Sequence, residues 1–366
     1  KPSAGQSARC CTNPVDHAAE CGVWASPLPE RKGRRLLGDS TKTFGSRQDE
    51  GRAILRPFSP MRYAPSERLR APGANPASLP PGFRLEHADE GFIRRETLAY
   101  PYTNHVRAGN VHGMRFTLGP FISEHYTGEE EPVVDPQAGP RRNVCWQPLY
   151  RRDVPEGWSK QFVVGSFQRI GFAKIEPAGA YDAEWTQHAR RHKRRWEKQD
   201  EWVLRDVALD EFVRAYWKSP KDPVLKFMMP DLLKKKVKAH GPLIRLVGAV
   251  RKADPSFVGA AFAFTDVPEL SLSSHTISFV RKEAVASSAG TGLIDAWFRH
   301  AQERGITWLN FGNFWAPGSP GEWVGFSEFK AQFGVFLVDR PPRLVKRVGT
   351  WKALWRYLRN KKTPAA

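Results

Sequence analysis

HTISFVRKEAVASSAGTGLIDAWFRHAQERGITWLNFGNFWAPGSPGEWVGFSEFKAQFG, residues 275–334, is the stretch of this chain that reads most like machinery. β-Branched and aromatic residues over His275–Val280 predict a strand. Gly290 and Gly292 stand in a small-residue loop, and an amphipathic helix is expected from there to about Arg304. Ile306–Phe311 predicts a second strand, after which a Pro/Gly loop leads to a short helix closed by Gly334. Strand, glycine loop, helix, strand is the βαβ order, which sets helix-terminal N–H groups at the edge of a parallel sheet. Such an edge suits a ligand that carries a phosphate or an acyl group.

Upstream, Leu243–Val250, Val258–Thr265 and Leu272–Val280 predict three strands separated by the turns ADPS and DVPE. Loops this short make an antiparallel meander that feeds the βαβ unit. Val207–Trp217 and Pro223–His240 predict helices, the second expected to kink or divide at Pro230 and carrying Lys234, Lys235, Lys236 and Lys238 near its end. Glu184–Asp200 predicts a further helix with Arg190, Arg191, Lys193, Arg194, Arg195 and Lys198 against Glu197 alone. Trp185, His188 or Ala189, His192 and Trp196 give it a thin apolar stripe. Six cations on about three turns repel one another without a counter-charge. The face is therefore either a solvated connecting helix or a surface for a phosphate-rich ligand.

Phe83 to about Ala180 is globular in texture, with Met114–Ile122 and Gln161–Phe167 as strands around the polar loop TGEEEPVVDPQAGPRR. Residues 1–81 are poor in apolar residues and end in APGANPASLPPG, the pattern of a disordered leader or of a segment outside the true coding sequence. Beyond Gly334, Val335–Val338 predicts a last strand. Arg343–Lys362 has eight cations, no acid, and Leu344, Val345, Val348, Trp351, Leu354, Trp355 and Leu358 at helical steps. Such a tail packs its stripe on the body, lies on an anionic membrane face, or does both.

The 366 residues, 40% hydrophobic with 13 Trp, suffice for two domains and a tail. Lys and Arg exceed Asp and Glu by 57 to 38, so an anionic partner is expected if this is more than a generally basic composition. The four cysteines form no disulfide framework, and Cys11, His17 and Cys21 lack the paired spacing of a zinc site, so no metal is expected. With no apolar run of about 18 residues and no h-region, a reduced cytoplasmic protein is expected. The sequence has no Walker phosphate loop, no H-E-x-x-H and no G-x-S-x-G, and Gly290-Thr291-Gly292 is two-thirds of a dinucleotide fingerprint with Asp295 in the third place. No nucleophile stands out. That suits direct reaction of two bound substrates, with positioning and oxyanion stabilisation supplied by the protein.

The order of meander, glycine loop, helix and strand resembles the GNAT acyltransferase fold, in which a loop of the form [QR]-x-x-G-x-[GA] binds the pyrophosphate of an acyl carrier. Here the loop is Ser287-Ser288-Ala289-Gly290-Thr291-Gly292, with Ser287 where that family has Arg or Gln. GFSEFKAQFG, residues 325–334, preceded by LNFGNF, resembles the closing segment of the Fem-type (FemAB-like) transferases, double-GNAT enzymes that build peptidoglycan bridges from aminoacyl-tRNA. The basic helix resembles the one opening their second unit. The likeness runs from Trp185 to Val338 and is fainter over Phe83–Ala180.

The resemblance implies a mixed α/β (α+β) fold: two GNAT-like units, the first reduced, each a mixed sheet flanked by helices. The expected division is a leader 1–81, a reduced unit 82–183, an acyltransferase unit 184–340 and a basic tail 341–366. It implies an acyl or aminoacyl transferase acting on an amine of a cell-wall precursor, amino-sugar or peptide, with aminoacyl-tRNA or acyl-CoA as donor and no permanent cofactor. Lys330 would offset negative charge in the tetrahedral intermediate. Ser287, Gly290, Thr291 and Gly292 would bind the donor, with the glycines admitting a phosphate to the backbone. Asn310 and Asn313 would orient the acyl group or cap a turn. Arg190, Arg191, Arg194 and Arg195 would meet tRNA or phosphate. Phe326, Phe329 and Phe333 read as core, and Glu328 or Asp266 as a general base. The tail suggests contact with the inner membrane. The rival reading is a non-catalytic basic module that binds RNA or an anionic membrane.

Overall fold

The computed structural model describes residues 64–74, 79, 83–148, 153–161, 169–221, 223–319, 321 and 323–361. Two mixed sheets form its frame. The first contains β1 (Thr103–Ala108), β2 (Val111–Leu118), β3 (Phe121–Gly128), β4 (Arg142–Pro148), β13 (Leu344–Val348) and β5 (Ser159–Lys160), in that order. The second has the order β12 (Phe336–Asp339), β6 (Arg169–Lys174), β11 (Trp308–Asn313), β10 (Leu272–Val280), β9 (Asp254–Val267), β8 (Ile244–Arg251) and β7 (Trp202–Asp206).

The two sheets repeat one plan. In each, three strands form an antiparallel meander, the third pairs in parallel with a fourth, and an inserted strand lies antiparallel between the fourth and the last. The inserted strands are exchanged. β6, which precedes the second unit in sequence, lies between β11 and β12, while β13, from the end of the chain, lies between β4 and β5. The units are thus clasped by two reciprocal strands.

The parallel crossovers differ. β10 reaches β11 through α6 (Lys282–Val285) and α7 (Ala289–Glu303). The β3–β4 connection has no helix, which makes the first unit the reduced one. On α7, Leu293, Ile294, Trp297, Phe298 and Ala301 recur at helical spacing and bury one face, together with Phe262 and Phe264 of β9. The Trp297 indole N–H donates to Ser273 Oγ at 2.9 Å, satisfying its polar edge inside the core. The other face of the second sheet buries Ile277 and Phe279 against α4 (Leu209–Trp217) and α5 (Pro223–His240). α2 (Glu90–Ala99), capped by Asp89, packs between α5 and the first sheet.

Several expectations are corrected. Residues 64–74, assigned to the leader, belong to the body: α1 (Glu67–Arg70) buries Leu69, and the Gly73 amide donates to Asp339 Oδ2 at 2.6 Å. The run Met114–Ile122 is not one strand, because Gly119 at φ 58° turns β2 into β3. Pro230 does not divide α5, which runs unbroken through it, since both halves pack on one core and outweigh the lost i→i−4 bond. Arg343–Lys362 is β13 followed by α9 (Trp351–Lys361), split at Gly349, where φ is 81°. A side chain at Gly349 would overlap the Pro140 carbonyl. The boundaries 183 and 341 also fail as clean divisions, since β6 and β13 each serve the opposite unit. The strand read at Gln161–Phe167 and the cysteines at 10, 11 and 21 lie outside the described residues.

Candidate active site

β10 and β11 pair in parallel only at Leu272↔Trp308, Ser273↔Leu309 and Ser274↔Asn310, and then part. Both strands are irregular at that point. β10 shifts register against β9 between His275 and Ile277, and β11 shifts against β6 between Asn310 and Gly312. Gly312 has φ 71°, and its amide donates to Asn310 Oδ1 at 2.8 Å. The opening between the strands is therefore fixed by local backbone geometry.

Lys330, on α8 (Trp323–Ala331), reaches into this opening. Its Nζ donates to the Phe311 carbonyl at 2.6 Å and to the Asn313 carbonyl at 3.4 Å, both at the end of β11. The rings of Phe326 and Phe314 lie 5.1 and 5.5 Å from the ammonium. α8 is held in place by Ser327, whose Oγ accepts from the Trp315 amide, and by Glu328, whose Oε1 accepts from the Ser66 amide. Glu328 is thus committed to the chain before the first unit. Of the three phenylalanines read as core, only Phe333 is buried, against Trp185. Phe326 and Phe329 remain partly exposed beside Lys330 and Gly290.

His275, expected only as the first residue of a strand, lies where the strands part. Its Nε2 is 3.1 Å from Ser278 Oγ, and its ring stacks on Phe262. Burial, then the charges of Lys330 and Lys221, push its imidazole well below the ordinary histidine value, leaving it neutral. Lys221 follows α4, on the opposite face of the sheet from α8, and burial pushes its own ammonium down. The only sequence signal for His275 was its place at the head of a strand before a glycine loop.

The glycine loop is used differently from expectation. Ser288, at φ 65°, precedes α7, and a side chain at Gly292 would overlap the indole of Trp196 on α3 (Gln187–Lys198). Gly292 therefore serves helix packing, and Thr291 beside it is buried. Gly290 faces Phe329 and Val280 with room for a Cβ. Ser287 Oγ donates to the Ala284 carbonyl at 2.9 Å, within its own turn. Asp266, proposed as a base, pairs with His300 at 2.8 Å beside the closed end of the strand pair.

On α3 the six cations divide. Lys193 turns inward to Asp182 at 2.8 Å and Asp295 at 3.1 Å, which supplies a counter-charge from outside the helix. Arg190, Arg191, Arg194 and Arg195 are exposed, and Arg190 also donates to the Ala183 carbonyl. Arg191, Arg194, Arg195 and Lys198 line an open concavity. His192 joins this face to the start of α7 through a 2.7 Å bond to Ser288 Oγ.

A cavity of about 140 Å³ lies between the units. Asn310 and Asn313 line it from the second unit; Glu86, Glu96, Tyr100 and His125 line it from the first. Asn310 is buried and donates to both Glu86 oxygens at 2.8 and 3.1 Å, so its side chain ties the units together as well as capping the bulge. Burial, then the Arg343 charge, pushes His125 down to about 3, so it too is neutral. Among the described residues no helix is long and apolar enough to cross a membrane.

No protein-family model matches the sequence, and no curated protein matches it. Solved structures do. FemX superposes with a TM-score of 0.52 at 9% identity, over 73% of this chain and 93% of its own. L-PGS from Bacillus licheniformis superposes at 0.43 with 13% identity, over 74% and 93% of the two chains. A tandem GNAT protein from the clavulanic acid biosynthesis pathway gives 0.39 with 12% identity, over 74% and 91%. This chain shares the fold of FemX, two mixed sheets flanked by helices, as the resemblance implied.

Proposed function

We propose that this protein is an N-acyltransferase that moves an acyl or aminoacyl group from a carrier to an amine. The observation that carries the reading is the parting of β10 and β11 after Ser274 and Asn310, with the Lys330 ammonium held in the opening by the Phe311 carbonyl. A carbonyl inserted there meets a fixed cation in a site walled by aromatic rings, where an oxyanion is most strongly stabilised. The acceptor nitrogen attacks the carbonyl carbon, a C–N bond forms, and the bond to the carrier oxygen or sulfur breaks. The neutral His275 imidazole accepts the proton shed by the amine and passes it to the carrier oxygen or sulfur as that group leaves. The cavity beyond Asn313 offers the acceptor a route from the inter-unit side.

For the donor, aminoacyl-tRNA is the better fit. Exposed Arg191, Arg194 and Arg195 lie on the helix whose His192 bonds Ser288 before α7, and Ser287 holds its own turn where a thioester-binding loop would present Arg or Gln. The acceptor class is an amine of a cell-wall precursor, amino-sugar or peptide, met in the cytoplasm at the inner membrane face. Trp351 and Trp355 of α9, 55% and 61% exposed among Lys352, Arg356 and Arg359, support that membrane contact.

The test is incubation of the purified chain with radiolabelled aminoacyl-tRNA or acyl-CoA in turn, with lipid-linked precursor as acceptor. A labelled amide product from aminoacyl-tRNA supports the reading, and product from acyl-CoA alone reassigns the donor. The exposed arginines also favour a second reading, a non-catalytic basic module. No product from either donor, with RNA association that weakens steeply with salt, would establish that module instead.

A further inference from the structure

Three residues of the first unit carry metal-ligating chemistry that acyl transfer does not use. Glu90 opens α2, His105 lies on β1 and His112 on β2. The hairpin closes at Ala108↔Val111 around Gly109 and Asn110, with Gly109 at φ 63°, and this turn fixes the register that brings the two histidines together diagonally. His105 Nε2 lies 3.0 Å from His112 Nδ1, with the rings stacked at 5.2 Å. His112 Nε2 lies 3.3 Å from Glu90 Oε2, and one ligand atom of each residue falls within 4.8 Å of the others.

We propose that Glu90, His105 and His112 form a divalent-cation site, suited to Zn²⁺, that pins α2 to the β1–β2 hairpin. Two imidazoles and a carboxylate are a zinc donor set that leaves one position for water. All three residues are partly exposed, so a hydrated ion can enter and keep that water. Ligand nitrogens about 2.0–2.1 Å from zinc sit slightly farther apart than the present histidine pair. Because His105 and Glu90 meet opposite ring nitrogens of His112, binding also turns that ring to aim one nitrogen at the ion. Arg94 donates to Glu90 Oε1 at 2.7 Å, which orients the carboxylate and leaves Oε2 facing His112. α2 and β2 continue into the cavity wall through Glu96, Tyr100 and Met114, so an ion here would stiffen the acceptor side of the site.

Titration calorimetry of the full chain with Zn²⁺, and absorption spectra with Co²⁺, test the proposal alongside His105→Asn and His112→Asn. These substitutions keep a polar side chain on a partly exposed strand, and circular dichroism checks the fold. The expected result is one zinc per chain, a raised melting temperature with zinc, and a cobalt spectrum free of sulfur charge-transfer absorption. Each variant should lose all three. Zinc uptake unchanged in both variants, a thiolate spectrum pointing to the cysteines at 10, 11 and 21, or no stoichiometric uptake would overturn it.

Discussion

The indole of Trp196 fills the space that a side chain at Gly292 would need. The basic helix and the helix after the glycine loop are in contact because that position has no Cβ. Gly292→Ala should therefore cost about 1–3 kcal/mol through overpacking. Gly290→Ala should leave stability unchanged or raise it, because its Cβ would lie 3.4 Å from Phe329 and Val280 in a helical first turn, where alanine is the better former. Urea denaturation of the two variants decides the matter, and equal losses would refute this division of the loop.

Lys330 spends two hydrogen bonds on the Phe311 and Asn313 carbonyls, so its removal has a structural and a chemical consequence. Lys330→Met should lower stability by about 1–3 kcal/mol, the cost of carbonyls left without a donor. It should lower kcat by about 10²–10³-fold, as for loss of an oxyanion donor. Lys330→Arg retains the cation and should recover part of kcat. A Lys330→Met enzyme that turns over at the parental rate while folded would remove the residue from the chemistry.

Glu96 is buried at the cavity wall, with Lys236 Nζ at 2.9 Å and His240 Nε2 at 2.7 Å from Oε1. Burial pushes its carboxyl up, but the Lys236 charge and the hydrogen bonds of His240 and Lys236 outweigh it and hold it well below the usual 4.5. A depressed folded-state value stabilises the fold above the unfolded value, and that contribution is lost as pH falls from about 4.5 toward the folded one. Glu96→Gln should cost about 3–5 kcal/mol at pH 7 by stranding Lys236. The gap between parent and variant should narrow in acid. A gap that stays constant from pH 7 to pH 3 would contradict the assignment.

The second unit was legible because its signals are local. The three-strand meander, the small-residue loop and the stripe on α7 each depend on residues close in sequence, and β8, β9, β10 and α7 fall close to where periodicity put them. The strand exchange was not legible. Nothing in the apolar steps of Leu344, Val345 and Val348 separates a strand from a helix over so short a run, and only β4 and β5, nearly 200 residues away, settle it. Of the candidate site, the sequence singled out Lys330, which the structure sets at the end of β11. The partner of Gly292 and the place of His275 are tertiary facts, set by Trp196 and by a bulge that the sequence does not announce.

The exchange makes the two units one folding problem. Leu344 and Val348 are buried in the core of the first sheet and Leu354 is buried on α9, each worth about 1.5–3 kcal/mol of apolar burial. Arg169 on β6 meanwhile bonds Asp339 on β12 at 2.6 Å and the Leu69 carbonyl at 2.5 Å, locking the opposite strand into the second sheet. Neither sheet is complete without a segment that must cross from the other unit. Native-state hydrogen exchange should accordingly show the amides of β6 and β13 opening with the same free energy, that of global unfolding. A chain ending at Pro342 should fail to protect the first sheet and should also loosen β6. If β13 and the first sheet exchange through a low-energy opening while β6, β11 and β12 stay protected, the units are separable and the clasp is not cooperative.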